Sequence, residues 1–315
     1  MLREIGCLLI ALFYASLLAS LPMEGLMDRD NYLNAARVSP LTLAHYFDQG
    51  ILVGLTNEPV WLGINSILGF SLEPDVVVRI AVFFSAFTVA YLVLKHSNQH
   101  FILLILVLLF PLVIKNFIVH LRQGVAIAFF AIGWFASGKK TKYVFYTMSP
   151  LTHSSFFLIL PLMFLREVLT RLRLAIDVKA IVYVLSGVTV GISIVFLASL
   201  LGARQADTTA LMDSGVSGVG FVMWALIALL LVLQGRSFLD KNTFAIGALL
   251  FYLATYFLTP IAGRLFESAV LFVLLAGLTL TSYRKYGFML IILAFTLVYF
   301  IMKLGQPLMG FGTTY

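Results

Sequence analysis

Apolar runs recur along almost the whole chain, separated by short polar stretches. Residues 5–22, 76–95, 118–137, 180–201 and 264–282 are long enough to cross hydrocarbon as helices, which takes roughly 17–25 residues. Residues 101–115, 219–234, 243–259 and 287–303 are shorter runs that also read as spans. Length does not assign two further pieces, 59–71 and the pair 143–151 and 153–165. Helix is expected throughout, because a segment inside a bilayer must satisfy its own backbone N–H and C=O groups. The pattern predicts an all-α polytopic membrane protein, a single transmembrane domain over residues 1–315.

The placement of Lys and Arg resolves the doubtful pieces, since short cytoplasmic loops carry an excess of both. The basic clusters are Lys95 with His96 and His100; Lys139, Lys140 and Lys142; Arg166, Arg171, Arg173 and Lys179; Arg236 and Lys241; and Arg284 with Lys285. If 59–71 crossed the bilayer, Lys139, Lys140 and Lys142 would fall outside; if it lies at the interface, they join Lys95 inside. Residues 143–165 read as one span would send Arg166 to Lys179 outside. Read as a re-entrant helical hairpin broken near Ser149-Pro150, they return inside. Pro150 supports that break, because a proline disfavours the helical state of the residue before it. The resulting topology has about nine full spans plus one hairpin, about eleven membrane helices. The N-terminus is inside and the C-terminus outside, with Lys303 the one exception.

Composition agrees. The 315 residues are 61% hydrophobic and 11% charged, whereas soluble domains carry about 25% charged residues. The net charge of +7 is accounted for by orientation signals, and no nucleic-acid partner is expected. Ile5 to Leu21 is expected to be an uncleaved span rather than a signal peptide, because its basic flank is Arg3 alone. Cys7 is the sole cysteine, so no intrachain disulfide can form.

Parity places two loops on the outer side, 23–58 and 202–218. The first holds Glu24, Asp28, Arg29, Asp30, Arg37, Asp48 and Glu58 and has no lysine. Arg122 and Arg264 fall near outer ends of spans. Asp30 before NYLNAAR reads as an N-cap and a short helix. Asn57-Glu58-Pro59 before VWLGINSILGF reads as a second helix start. Two juxtamembrane helices are therefore expected, with Trp61 at the interface.

Five short patterns occur in order: Asp28-Arg29-Asp30-Asn31-Tyr32, Asn57-Glu58-Pro59, Arg122-Gln123-Gly124-Val125-Ala126, His153-Ser154-Ser155 and Arg264-Leu265-Phe266. Together they resemble the EpsG-like family of polysaccharide polymerases, similar in role to the Wzy-type polymerases of O-antigen, capsule and exopolysaccharide. The resemblance covers roughly residues 1–285. It implies a GT-C-like bundle in which the first outer loop carries an acidic catalytic residue. It also implies joining of oligosaccharide repeat units carried on undecaprenyl pyrophosphate at the outer, periplasmic face of the bacterial inner membrane. The implied partners are that lipid-linked oligosaccharide, membrane lipid, a flippase and a chain-length regulator. No cofactor and no metal are implied.

Such a transfer needs a base at the acceptor hydroxyl, for which Asp28, Asp30 and Glu58 are the candidates. Asp28 ranks first, because helix-start roles compete for Asp30 and Glu58. The departing pyrophosphate needs cations, and the planar guanidinium of arginine pairs with phosphate oxygens. Arg122, set among apolar residues, and Arg264 are the candidates, with an ion pair to a loop carboxylate or to Glu267 as the alternative. His153 is assigned to pyrophosphate or glycan, with the broken backbone near Pro150 as its rival partner. Tyr32 is a candidate for sugar stacking, against an interfacial role; Gln123 is a candidate for the glycan, against packing. His96 and His100 lack nearby carboxylates and make no metal site. Three other functions stay open: a GT-C glycosyltransferase using a polyprenyl-phosphate sugar donor, a lipid-linked oligosaccharide flippase or transporter, and a ligase.

Overall fold

A computed structural model describes residues 2–97, 99–200, 218–259 and 261–313. The expected outer loop 202–218 lies, but for Gly218, outside the described residues. Among the described residues the chain is helical with no strand, and it forms two compact units. The first comprises Met1–Ser154 and Thr296–Tyr315, the second Ser155–Phe295.

The first unit contains α1 (Leu2–Ala19), α2 (Arg29–Asp48), α3 (Ile51–Thr56), α4 (Pro59–Gly69), α5 (Pro74–His96), α6 (Phe101–Leu108), α7 (Pro111–Ile118), α8 (Leu121–Phe135) and α9 (Lys139–Thr152). Helix α5 is its axis and packs against α1 and α8. Pro74 opens α5, Asp75 lies in its first turn, and Lys95 with His96 lie in its last, as the helix dipole favours. Its buried positions include Ala81, Ser85, Ala86 and Ala90, and α1 presents Cys7, Ala11 and Ala15. Small residues let membrane helices approach closely where water-driven packing is absent.

The contacts of this unit sort to two ends. At one, the Arg3 guanidinium donates to the Ser97 carbonyl, and His96 stacks on Phe135, ring centroids 4.8 Å apart. At the other, Arg79 near the start of α5 donates to the Ala19 carbonyl at the end of α1. The C-terminal tail joins this unit too: Met27 N–H donates to the Phe311 carbonyl and Thr313 N–H to the Gly25 carbonyl. That pairing puts the tail beside the 23–58 segment, on the side where charge parity puts both.

The second unit contains α10 (Phe156–Arg171), α11 (Ile176–Leu200), α12 (Gly218–Val232), α13 (Arg236–Lys241), α14 (Thr243–Thr255), α15 (Ala262–Glu267) and α16 (Val270–Leu278). A further helix, α17 (Ser282–Met302), begins in this unit and ends in the first. Leu162, Leu169, Tyr183, Phe251 and Leu265 form a core cluster. Lys179 pairs with Asp240 at 2.9 Å, Arg236 with Asp177 at 3.2 Å, and Arg284 donates to the Gln234 amide oxygen at 2.8 Å. These bonds join three of the segments whose basic residues are expected inside.

Among the described residues, four helices are long and apolar enough to cross a membrane by themselves: Leu2–Ala19, Pro74–His96, Ile176–Ser193 and Ser282–Met302. A fifth crossing results if α6 and α7 count as one bent span. The expected span 101–115 is thus broken, with a 59° bend where Pro111 ends the regular ladder. The expected span 264–282 is broken as well. Ser268 and Ala269 bond to Leu265 and Phe266, the i→i+3 pattern of a tighter turn, which separates α15 from α16. The expected break near Ser149-Pro150 moves to residues 153–155. Pro150 lies inside α9, where the Ser149 and Thr152 hydroxyls donate back to the Phe145 and Met148 carbonyls. Helix α2 has 20 residues and is not short; α4, with 11, spans about 16 Å, too little to cross.

Gly247 provides a test of the second unit's packing. A Cβ there would lie 2.3 Å from the Tyr183 ring, whose hydroxyl donates to the Leu162 carbonyl at 3.2 Å. Gly247→Ala is expected to destabilise the protein by about 1–3 kcal/mol through overpacking. A lower thermal midpoint in detergent checks this; an unchanged midpoint would mean Tyr183 has room to move.

Candidate active site

Three residues that lie far apart in sequence meet in the first unit because of helix lengths. Helices α8 and α9 have 15 and 14 residues, about 22 and 21 Å each, and a three-residue link folds them into neighbours. The start of α8 and the end of α9 therefore come to the same level. Gly124, in the first turns of α8, sits against the end of α7: a Cβ there would be 2.2 Å from the Asn116 carbonyl oxygen. This approach fixes the α8 start, and with it Arg122. Helix α4 packs on α9 and brings its own first residues to the same place.

Glu58, just before Pro59, is the hub. A residue preceding proline is disfavoured in the right-handed helical region, and Glu58 takes the left-handed one, φ 61° and ψ 49°. Such a conformation costs a non-glycine residue on the order of 1–3 kcal/mol and persists only where surrounding contacts hold it. The contacts are plain. Arg122 Nη1 donates to Glu58 Oε2, and His153 Nδ1 lies 2.7 Å from Glu58 Oε1. Both carboxylate oxygens are engaged, and Glu58 is only 5% exposed. The partners are more open, with 27% of the Arg122 side chain and 18% of His153 exposed.

The electrostatics fix the protons. Burial pushes the Glu58 carboxyl up, but the Arg122 charge and the His153 hydrogen bond outweigh it and hold the group down at about 2. Glu58 is therefore ionised and can only accept hydrogen bonds. It follows that His153 Nδ1 carries a proton and donates it to Glu58. In neutral imidazole this leaves Nε2 as a free lone pair.

The other sequence candidates fall in different places. Tyr32 and Trp61 are buried against each other, ring centroids 5.7 Å apart and edge to face, so neither offers a face to a sugar. The Tyr32 phenol instead interacts electrostatically with Arg122. Gln123 is buried beside Arg122 on α8. Asp28 and Asp30 are both exposed at the start of α2. It is Asp28, not Asp30, that occupies the cap position, with φ 59° and a 3.4 Å hydrogen bond from Asn31. Asp30 lies in the first helical turn. Asp28, ranked first for lack of a local role, therefore has one. Arg264 stands exposed on α15 of the second unit, and Ser155 there bonds Ser268 at 2.7 Å. Sequence reasoning named Glu58, Arg122 and His153 and weighed an ion pair of Arg122 with a loop carboxylate; that Glu58 is that carboxylate and that His153 shares it carried no sequence signal.

Comparison with known proteins then bears on the whole chain. The family model described as the EpsG family matches residues 7–309. No curated protein and no solved structure matches.

The hub makes a pH-dependent contribution to stability. The Glu58 pKa is depressed in the folded state, so the contribution is full above the ordinary carboxylate value of 4.5 and is lost as pH falls toward 2. Glu58→Gln is expected to cost about 1–3 kcal/mol, less than the ~3–5 kcal/mol for breaking a fully buried pair, because Arg122 keeps contact with water. The gap in thermal midpoint between wild type and variant should stay constant from pH 8 to 5. A gap that closes between pH 8 and 6 would show that Glu58 titrates there.

Proposed function

The chain belongs to the EpsG family, and from that premise we propose that it is a polysaccharide polymerase, a glycosyltransferase of the membrane. The family and the apolar helices make it a membrane protein of polysaccharide biosynthesis. On our proposal it joins oligosaccharide repeat units carried on undecaprenyl pyrophosphate, at the outer face of the bacterial inner membrane, within a GT-C-like bundle. The observation that carries this is the Arg122–Glu58–His153 contact: a phosphate-pairing cation and an oriented imidazole share one carboxylate.

In the proposed reaction, an acceptor hydroxyl gives its proton to His153 Nε2 as its oxygen bonds the anomeric carbon of the donor glycan. The bond from that carbon to the pyrophosphate oxygen breaks, and the lipid pyrophosphate leaves with the electron pair. Arg122 neutralises the charge that develops on it, which suits a planar fork facing phosphate. Glu58 holds the imidazole in the tautomer that exposes Nε2. A carboxylate kept near 2 is itself a weak base, because efficient bases have pKa values near the working pH. Glu58 is therefore assigned to orientation. Asp28 and Asp30, exposed on α2, are assigned to glycan hydroxyls.

When the pyrophosphate draws Arg122 away, Glu58 loses its counter-charge and keeps the hydrogen bond from His153 Nδ1.

Purified protein given an undecaprenyl-pyrophosphate-linked repeat unit should yield a ladder of longer glycans. Arg122→Ala should lower the rate by roughly 10²–10³-fold, the scale of losing one charge-stabilising donor, measured per folded protein because the change also strips Glu58 of its counter-charge. His153→Gly should lower it by roughly 10²–10⁴-fold, and added imidazole should restore part of the loss. Single-sugar extension from a polyprenyl monophosphate donor would replace this proposal with the monophosphate transferase. Lipid movement between leaflets without ladders would replace it with a flippase.

A further inference from the structure

Arg29 is the least explained charge in the first unit. It is 2% exposed, and its Nε and Nη1 atoms are buried without any hydrogen-bond partner. It is flanked in sequence by Asp28 and Asp30, yet both of those carboxylates are exposed to solvent. Its neighbour Arg79 shows what a structural arginine here looks like. Arg79 bonds Asp75 at 3.1 Å and the Ala19 and Leu21 carbonyls, so its guanidinium is well occupied. Asp75 reaches Arg29 only through space, and the Arg79 charge opposes it. A guanidinium removed from water with open N–H groups is strongly unfavourable unless an anion meets it.

The location of Arg29 points to the kind of anion. It is three residues before Tyr32 on α2, one helical turn away, and the Tyr32 phenol acts electrostatically on its guanidinium. Tyr32 also interacts with Arg122. One buried phenol therefore lies between the fields of two arginines. Glu58 already compensates Arg122, so the uncompensated positive charge of this cluster resides on Arg29. Burial lowers the Arg29 pKa to about 10 and leaves the group charged at neutral pH.

We propose that Arg29 is a second anion-binding arginine that takes a phosphoryl group, supplied by the pyrophosphate of the lipid-linked substrate or by a phospholipid headgroup. The pyrophosphate assignment rests on the polymerase reading, in which Arg122 takes one phosphate and Arg29 the other. The phosphoryl site itself does not. Two phosphates of one pyrophosphate need two separate cations, and planar guanidinium groups bind their oxygens in pairs.

The test uses the full chain in nanodiscs of phosphatidylcholine and follows its thermal midpoint. Inorganic pyrophosphate, undecaprenyl pyrophosphate, and phosphatidylglycerol mixed into the disc are the three probes. Arg29→Met keeps the volume and removes the charge. It should leave the protein without added anion at least as stable as wild type, and it should weaken anion-dependent stabilisation tenfold or more in apparent affinity. Arg29→Lys should retain part of the response. Arg79→Met serves as the structural control, expected to lower the midpoint and leave the anion response unchanged. An Arg29-dependent response to undecaprenyl pyrophosphate supports the site with the substrate as source; a response to phosphatidylglycerol alone supports it with the headgroup as source. A wild-type anion response in Arg29→Met overturns the proposal, whether or not that variant is less stable. Arg29-dependent anion binding in a protein that builds no ladders would keep the site and remove the polymerase. Ladders together with an unaltered anion response in Arg29→Met would do the reverse.

Discussion

The Glu58 carboxylate, held between Arg122 and His153, is the constraint on which the first unit depends. It ties together the start of α4, the start of α8 and the end of α9. None of the three side chains would rest there alone. A carboxylate this buried needs both a counter-charge and a donor. An arginine at the head of an apolar helix needs an anion. The left-handed backbone at Glu58 needs outside contacts to hold it. Arg122 and His153 meet both needs of Glu58, and Glu58 meets that of Arg122, so the site and the local fold are one piece of physics.

This interdependence explains what the sequence revealed. Membrane class and helical content could be read directly, because they depend on composition and on period within a single segment. Bonds such as Met27 to Phe311, which pair the first loop with the C-terminal tail, are encoded by no local pattern. The breaks in helices were harder. The bend at Pro111 falls inside a run that reads as one span, and Pro150, read as a break, lies inside α9. The interruption at Ser268 carries no proline or glycine, and only the folded chain reveals it.

The site was legible residue by residue but not as a constellation. Glu58, Arg122 and His153 were all candidates, yet Asp28 ranked above Glu58 because a helix-start role seemed to occupy Glu58. The structure separates the two. In α4 the helix-start role belongs to the backbone turn at Glu58 and to Pro59, which leaves the carboxylate free for longer contacts. At α2 the cap position is filled by Asp28, with its carboxylate turned toward Asn31 and solvent. Arg29 enters the sequence reading only as one of the charged residues of the 23–58 loop. Burial of its guanidinium with open donors is a tertiary fact. The His153-Ser154-Ser155 motif likewise divides its work: His153 serves the first unit and Ser155 a bond within the second.

On the proposed function, sharing one carboxylate has a kinetic consequence. An arginine left free would hold any phosphate that reached it, whether or not a glycan chain came with it. With Arg122 resting on Glu58, the cation is held away from any phosphate until one arrives. The anion that draws Arg122 off is the leaving group itself, so the hub opens only when a donor is seated. A buried pair costs more to assemble than apolar packing of equal volume, and here that cost supports a pairing that the substrate can exchange. The same logic gives different tasks to the two arginines. Arg122, compensated and partly exposed, is the one that moves; Arg29, uncompensated and buried, is the one that waits.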